Sequence, residues 1–365
     1  MISLQRRPTP SRWLSIAAPL FALLATAAFG WLLFAWLGKD PVAGLRLFFV
    51  TPMQSLRGIS EIGLKMTPLL LCALGLAICY RANVWNIGAE GQLVAGGIAA
   101  GAVALLATPA TPHGFVLLVV LAGIAGGIGW AGLTALLRDR FHANEILVSL
   151  MLTYVAQLLL LYLVHGPLKD PKGFNFPYSR TFEAAAAIPR LLPPNRVTVG
   201  WAIAIALALV AWLFVARSRA GFRIEAAGQA AAAARYAGFS SRAAIWLPLS
   251  ICGALSGLAG AIEVAGPINQ LTPTISPGYG FAAIIVAWLG RLHPIGCVLA
   301  AWVMAMIYIG GELSQSRLGL PNAVTGVFQG MLLLSLLCAD TFIRYRLRVT
   351  RGPTAKGGKW TPQPR

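Results

Sequence analysis

Acidic side chains are scarce in this sequence: 11 Asp and Glu stand among 365 residues, beside 29 Lys and Arg. Charged residues of both signs make up 11% of the chain, and hydrophobic residues 58%. A soluble domain carries about a quarter of its residues charged. A water-soluble fold is therefore excluded, and an all-α polytopic membrane protein is the class that remains. The net charge of +18 raises nucleic acid as a partner. No basic stretch is interleaved with base-stacking aromatics, so no nucleic acid is expected. Basic loops held against anionic membrane lipid account for the charge instead.

Metal, redox and catalytic chemistry are equally poorly supplied. Cys72, Cys79, Cys252, Cys297 and Cys338 lie in apolar stretches without a CxxC pair. They read as small buried apolar residues. His113, His142, His165 and His293 are scattered one per segment end, so no metal site and no cofactor are expected. The nearest thing to a phosphate loop, Gly352 to Lys359, has the wrong spacing, and Trp360 stands where Ser or Thr is required. No Ser/His/Asp or paired-carboxylate arrangement stands out. The chain is thus expected to be no enzyme, and a separate ATPase or an ion gradient must drive whatever it does.

What is present is apolar length. A helix needs about 20 apolar residues to cross hydrocarbon. Ten segments qualify or nearly so: 13–37, 61–80, 83–107, 115–137, 143–165, 199–216, 243–265, 280–291, 294–311 and 322–340. The first continues through Trp31 to Leu37, which is too long for a cleaved signal peptide. Two segments are irregular. The third opens on polar, Gly-rich Asn83 to Gln92, and the eighth is too short for one straight span and follows Pro273 and Pro277-Gly278. With the N-terminus inside, the inner segments 1–12, 81–82, 138–142, 217–242, 291–293 and 341–365 hold 19 of the 29 Lys and Arg, as the positive-inside rule requires. Both termini are then cytoplasmic. Segments 3 and 8 run in opposite directions, which suits a five-plus-five inverted repeat with two broken helices. The expected organisation is an N-terminal arm (1–12), a transmembrane domain (13–340) with an inner loop at 217–242 and an outer loop at 166–198, and a basic cytoplasmic tail (341–365).

Two stretches carry functional signals. Polar groups inside a membrane are costly and face a cavity or the bundle interior. Asn83, Asn86, Glu90 and Gln92 sit at a helix entry whose glycines permit irregular backbone, and Asn86 is placed to cap the following helix. Amides of this kind match the donors and acceptors of a small polar solute. Glu90 is either a buried carboxylate bonded to backbone at the break or a group facing solute. Glu263 either pairs across the bundle or forms part of the outer mouth. For Tyr279 and Phe281, ordinary packing and a path-facing role both stand open. The second stretch is the Ala-rich, helix-prone loop at 217–242. A short surface helix there either docks into a cytoplasmic partner or lies idle on the membrane face, and Gly228 and Gly238 mark breaks or close contacts.

Arg223-Ile-Glu-Ala-Ala-Gly, followed by Ala-Arg-Tyr-Ala-Gly238, resembles the coupling loop of ABC-importer permeases in the branched-chain amino acid/simple sugar superfamily. Within it, Arg81 to Gln92, Gly257 to Glu263, Gly278 to Gly290 and His293 to Gly296 are similar to the nucleoside-type permeases that work with basic-membrane-protein lipoproteins. The likeness covers most of residues 60–340 and implies a bacterial inner-membrane permease subunit that forms the path for nucleosides or related purine and pyrimidine solutes. Simple sugars or riboflavin-like solutes are the alternatives, and an ion-coupled secondary transporter is a further one. The resemblance implies three partners: an ABC ATPase subunit, a second related permease subunit, and an extracytoplasmic solute-binding lipoprotein or periplasmic protein. Asn83, Asn86, Glu90, Gln92, Glu263, Tyr279 and Phe281 would line the solute path. Arg223, Glu225, Gly228, Arg235, Tyr236 and Gly238 would couple it to the ATPase.

Overall fold

The computed structural model describes residues 2–6, 12–112, 114–191 and 193–349. The stretch Gly352 to Lys359, residues 1 and 7–11 of the arm and residues 350–365 of the tail lie outside these residues. In chain order the elements are β1 (Ile2–Arg6), α1 (Arg12–Trp36), α2 (Pro41–Phe49), α3 (Leu56–Arg81), α4 (Ala89–Ala104), α5 (Phe115–Phe141), α6 (Glu145–His165) and α7 (Val199–Arg217). They continue with α8 (Arg219–Gln229), α9 (Ala231–Tyr236), α10 (Ala243–Glu263), α11 (Tyr279–Leu289), α12 (Pro294–Leu318), α13 (Ala323–Arg344) and β2 (Tyr345–Val349).

The chain forms two compact units. One comprises residues 1–29 and 330–365, and the other residues 30–329. In the first, β1 pairs antiparallel with β2, Ile2 opposite Val349, and Ala18, Ala339 and Ile343 bury one another. Cys338 in this unit is exposed, against the expectation of burial; the other four cysteines are buried.

Among the described residues, eight helices are long and apolar enough to cross a membrane. They match eight of the ten expected segments. The remaining two are α4 and α11, of 16 and 11 residues. At 1.5 Å per residue they reach about 24 and about 16 Å, less than the roughly 30 Å of a hydrocarbon core. Each follows an irregular stretch, 82–88 and 269–278. Each stretch has an asparagine in the left-handed region at or next to its start, Asn83 (φ 55°) and Asn269 (φ 56°), a conformation Asn tolerates better than most side chains do.

Within residues 30–329, α3 packs on α10, α11 and α12, while α10 packs on α3, α4 and α5. The contacts α4·α5 and α11·α12 join these, and α4 also packs on α6, α3 on α7 and α12 on α2. Exchanging α3 with α10, α4 with α11 and α5 with α12 maps the main contacts among these six helices onto one another, whereas those of α4 with α6 and of α3 with α7 have no counterpart of comparable extent among the described residues. Small residues allow the closest crossing. A Cβ on Gly257 of α10 would lie 2.3 Å from the Gly123 carbonyl oxygen of α5, so the Gly253-x-x-x-Gly257 spacing lets the two backbones touch.

The two ends of the bundle differ. At one end the basic segments converge. Arg138 pairs with Glu145 at 2.8 Å, and Arg242 with Asp139 at 3.0 Å. The loop 217–242, expected to hold a short helix, folds as α8 and α9 at this end. At the other end the loop 166–198 lies over the stretch after α10. Ile188 N–H donates to the Ala265 carbonyl at 2.8 Å, Phe182 N–H to Asn269 O at 3.0 Å, and Ser179 N–H to Leu271 O at 3.0 Å.

Candidate functional site

The site is built where α4 and α11 start. Between Ala82 and Gly88 the backbone cannot hydrogen-bond to itself as a helix does, so side chains serve it. The Tyr80 hydroxyl donates to the Asn86 carbonyl at 3.0 Å, and Ile87 N–H donates to the Ser149 hydroxyl at 3.1 Å. Asn86 Oδ1 accepts from Gly88 N–H at 2.9 Å. This corrects the expected cap: Asn86 closes a tight turn before the helix, and Gly88 occupies the N-cap without a side-chain bond. The physical reason is reach, because the Asn86 oxygen is already held two residues on and cannot extend to the first turn of α4. Asn86 Nδ2 donates to Gln92 Oε1 at 3.4 Å and lies 3.2 Å from Cys252 Sγ.

At the second start, Ser276 Oγ accepts from the Gly278 and Tyr279 amides at 3.1 and 2.9 Å. The two starts then meet. Gly280 N–H donates to Glu90 Oε2 at 2.6 Å, and a Cβ on Gly280 would lie 2.2 Å from Glu90 N. Only glycine permits that approach. Glu90 is fully buried; its Oε1 makes no hydrogen bond of ordinary geometry among the described residues, though the Ser276 hydroxyl and the Gly278 amide stand close enough to act on the carboxylate. Of the two readings open for Glu90, a bond to backbone is present, and it reaches the start of the other broken helix.

Asn86, Gln92, Glu263 and Tyr279 are all buried, and Phe281 is half-buried. Asn83 is set apart from them. It is exposed and lines a cavity of about 210 Å³ at the basic end with Arg138 and Arg235. Two residues that the sequence reading missed join the group. Lys65 of α3 pairs with Glu312 of α12 at 2.9 Å, and its ammonium stands 5.8 Å from the centre of the Tyr279 ring. Tyr279 meets Tyr308 edge to face, with ring centres 5.5 Å apart. A lone lysine inside an apolar span is a signal for Lys65. Glu312 gave none, because segment 9 was ended at residue 311 while α12 runs on to Leu318.

The residues of the inner loop divide. Arg223, Arg235 and Tyr236 are exposed, Tyr236 at 96%. Gly238 has φ 81° with open space around it, so it ends α9 and makes no close contact within the chain. Glu225 and Gly228 instead face α3. Beside them lies a cavity of about 760 Å³ lined by Arg81, Arg217, Phe222, Glu225 and His293, among others. Partial burial and the Arg81 charge hold the His293 imidazole below its usual range.

A bundle of spanning helices with two broken members, a polar crossing in its interior and a helical loop at its basic end defines a multi-pass transport subunit. Residues 58–337 match the family described as branched-chain amino acid transport system, permease component, and the chain belongs to that family. A glucose ABC transporter permease protein of Haloferax volcanii is 34% identical over 95% of this chain and 94% of its own length. A guanosine ABC transporter permease protein of Bacillus subtilis is 28% identical over 94% and 97%. A probable riboflavin import permease protein of Treponema pallidum is 25% identical over 75% and 72%. No solved structure matches. The chain is thus an ABC permease and not an enzyme, its ATPase a separate subunit. The reading as an ion-coupled carrier falls away.

Proposed function

We propose that this chain forms the translocation path of an ATP-driven importer for nucleosides or related purine and pyrimidine solutes. It would lie in the bacterial inner membrane with the basic segments of residues 30–329 on the cytoplasmic side, and an even number of crossings would bring both termini to that side. A second related permease would stand beside it, an ABC ATPase under α8 and α9, and a solute-binding lipoprotein or periplasmic protein on the outer face. Residues 13–340 would form the spanning domain, flanked by the arm and tail.

One observation carries the solute path. Glu90 Oε1 makes no hydrogen bond of ordinary geometry although it is buried at the crossing of two broken helices, where the Ser276 hydroxyl and the Gly278 amide also act on the carboxylate. Buried polar groups are rarely left so. A donor of the solute, a ribose hydroxyl or base N–H, would take that oxygen when the crossing opens. Glu263, Tyr279 and Phe281 would lie on the same route. Likeness to the nucleoside-type break at Arg81 to Gln92 favours nucleosides. Simple sugars are the second reading, favoured by the 34% identity to a glucose permease.

The test is uptake by proteoliposomes holding the complete importer. Labelled guanosine should enter with ATP inside and resist competition by glucose; the reverse preference would replace the solute. Asn86→Leu should lower uptake about ten-fold or more, the loss of a buried hydrogen-bonding set, while the ATPase still co-purifies. Unchanged uptake would remove the amides from the path.

A further inference from the structure

Glu225, expected to face the ATPase, is half-exposed and also makes a contact within the chain. Its Oε2 lies 3.3 Å from Arg81 Nη1. The same guanidinium donates from Nε to the Leu292 carbonyl at 2.9 Å. One turn after Glu225, Gly228 presses α8 against the end of α3. A Cβ there would lie 2.0 Å from the Arg81 carbonyl oxygen. Arg81 thus joins three elements: α3, α8, and the turn between α11 and α12.

That turn is stiff. Leu292 N–H donates to Ala287 O at 2.8 Å, and His293 N–H to Gly290 O at 3.0 Å. Gly290 and Gly296 are in backbone contact, a Cβ on Gly296 falling 2.3 Å from the Gly290 oxygen. A pull on the Leu292 carbonyl therefore moves the start of α12 and the end of α11 together. The far end of α11 is Tyr279-Gly280, which rests on Glu90.

We propose that Arg81 is the positioning residue that carries movement of α8 to α11, and so from the ATPase side to the crossing at Glu90. This rests on reading the chain as an importer permease. The chemistry is specific to arginine, whose separate nitrogens serve Glu225 and Leu292 at once; a lysine supplies one point charge and no such fork. The side chains of Arg81 and Glu225 remain 20% and 41% exposed beside the large cavity. A partly wet pair of this kind contributes little to stability, and the cavity leaves α8 room to move. Exposed Tyr236 and Arg235 would receive the push, and Arg81 would pass it on.

The experiment uses the full importer in proteoliposomes, with labelled guanosine or glucose, whichever the wild type takes up. ATPase rate is read with and without loaded binding protein. Arg81→Gln should assemble at normal yield and keep the basal ATPase rate, while stimulation by loaded binding protein and uptake both fall about ten-fold, as loss of hydrogen bonds to a charged group implies. Arg81→Lys should lie between it and the wild type. Full stimulation in Arg81→Gln overturns the proposal. So does a parallel fall of yield, basal rate and stimulation, which would make Arg81 a structural prop. If Arg81→Gln does not assemble, Arg81→Lys decides: full stimulation there overturns the relay, and a selective loss of stimulation supports it. Absence of stimulated ATPase and uptake in the wild type would instead refute the importer reading itself.

Discussion

The two helix breaks solve one problem by different means. Both interrupt a helix inside an apolar body, where unsatisfied backbone groups are costly, and both have a left-handed asparagine at or next to the start, Asn83 or Asn269. At the first break the backbone is served by side chains: Asn86, Tyr80 and Ser149. At the second, Ser179 and Ser276 side chains also serve the backbone, but the loop 166–198 adds main-chain bonds through Ser179, Phe182 and, just before the break, Ile188. Side-chain partners can be exchanged one at a time, whereas a ladder of main-chain bonds holds as a unit. Movement is therefore expected at the first break, with the second as its anchor.

That contrast can be broken most severely where the breaks meet. Gly280→Val places a branched side chain against the Glu90 backbone and should leave little or no folded, transporting protein, judged by monodisperse yield in detergent and by uptake. Normal uptake would show that the two starts need not touch. A clear but smaller effect is expected from Ile188→Pro, which removes the N–H donated to Ala265. An orphaned buried carbonyl costs about 1–3 kcal/mol, so thermal unfolding in detergent should begin several degrees lower. An unchanged midpoint would mean that the loop rests on the second break without holding it. The mildest change is Ser276→Ala, which strips a side-chain acceptor from the start of α11. It should cost about 1 kcal/mol, as lost caps do, with uptake retained. A larger loss than for Ile188→Pro would reverse the ranking of side chain and main chain at the second break.

Much of this arrangement was legible in the sequence. Apolar length gave all ten segments, because a span must satisfy hydrocarbon along most of its course. The break at Asn83 to Gln92 announced itself by polar residues and glycines where neither belongs in a span. The shortness of segment 8 was visible for the same reason. The role of the loop 166–198 was not, since it acts through backbone groups that every residue type carries. Nor was the division of the inner loop. Glu225 and Tyr236 both read as polar anchors, and an Ala-rich stretch of two short helices gives little sign of which face turns inward. Asn83 was grouped with Asn86 by proximity in sequence, although the left-handed turn at residue 83 sends the two to different environments.

The bond between Glu90 and Gly280 has an electrostatic consequence. Glu90 lies in the first turn of α4 and accepts from the first turn of α11, so one carboxylate stands at two helix N-termini. Each such end behaves as roughly half a positive charge, and the three together come close to neutral. Two like dipole ends that would repel are joined by a shared anion, and the attraction is strong only while water is kept out, because a higher dielectric weakens every term alike. Wetting the crossing would screen the carboxylate from both helices at once. The same burial that would bar a polar solute from the crossing would thus also strengthen the bond between the two helix starts.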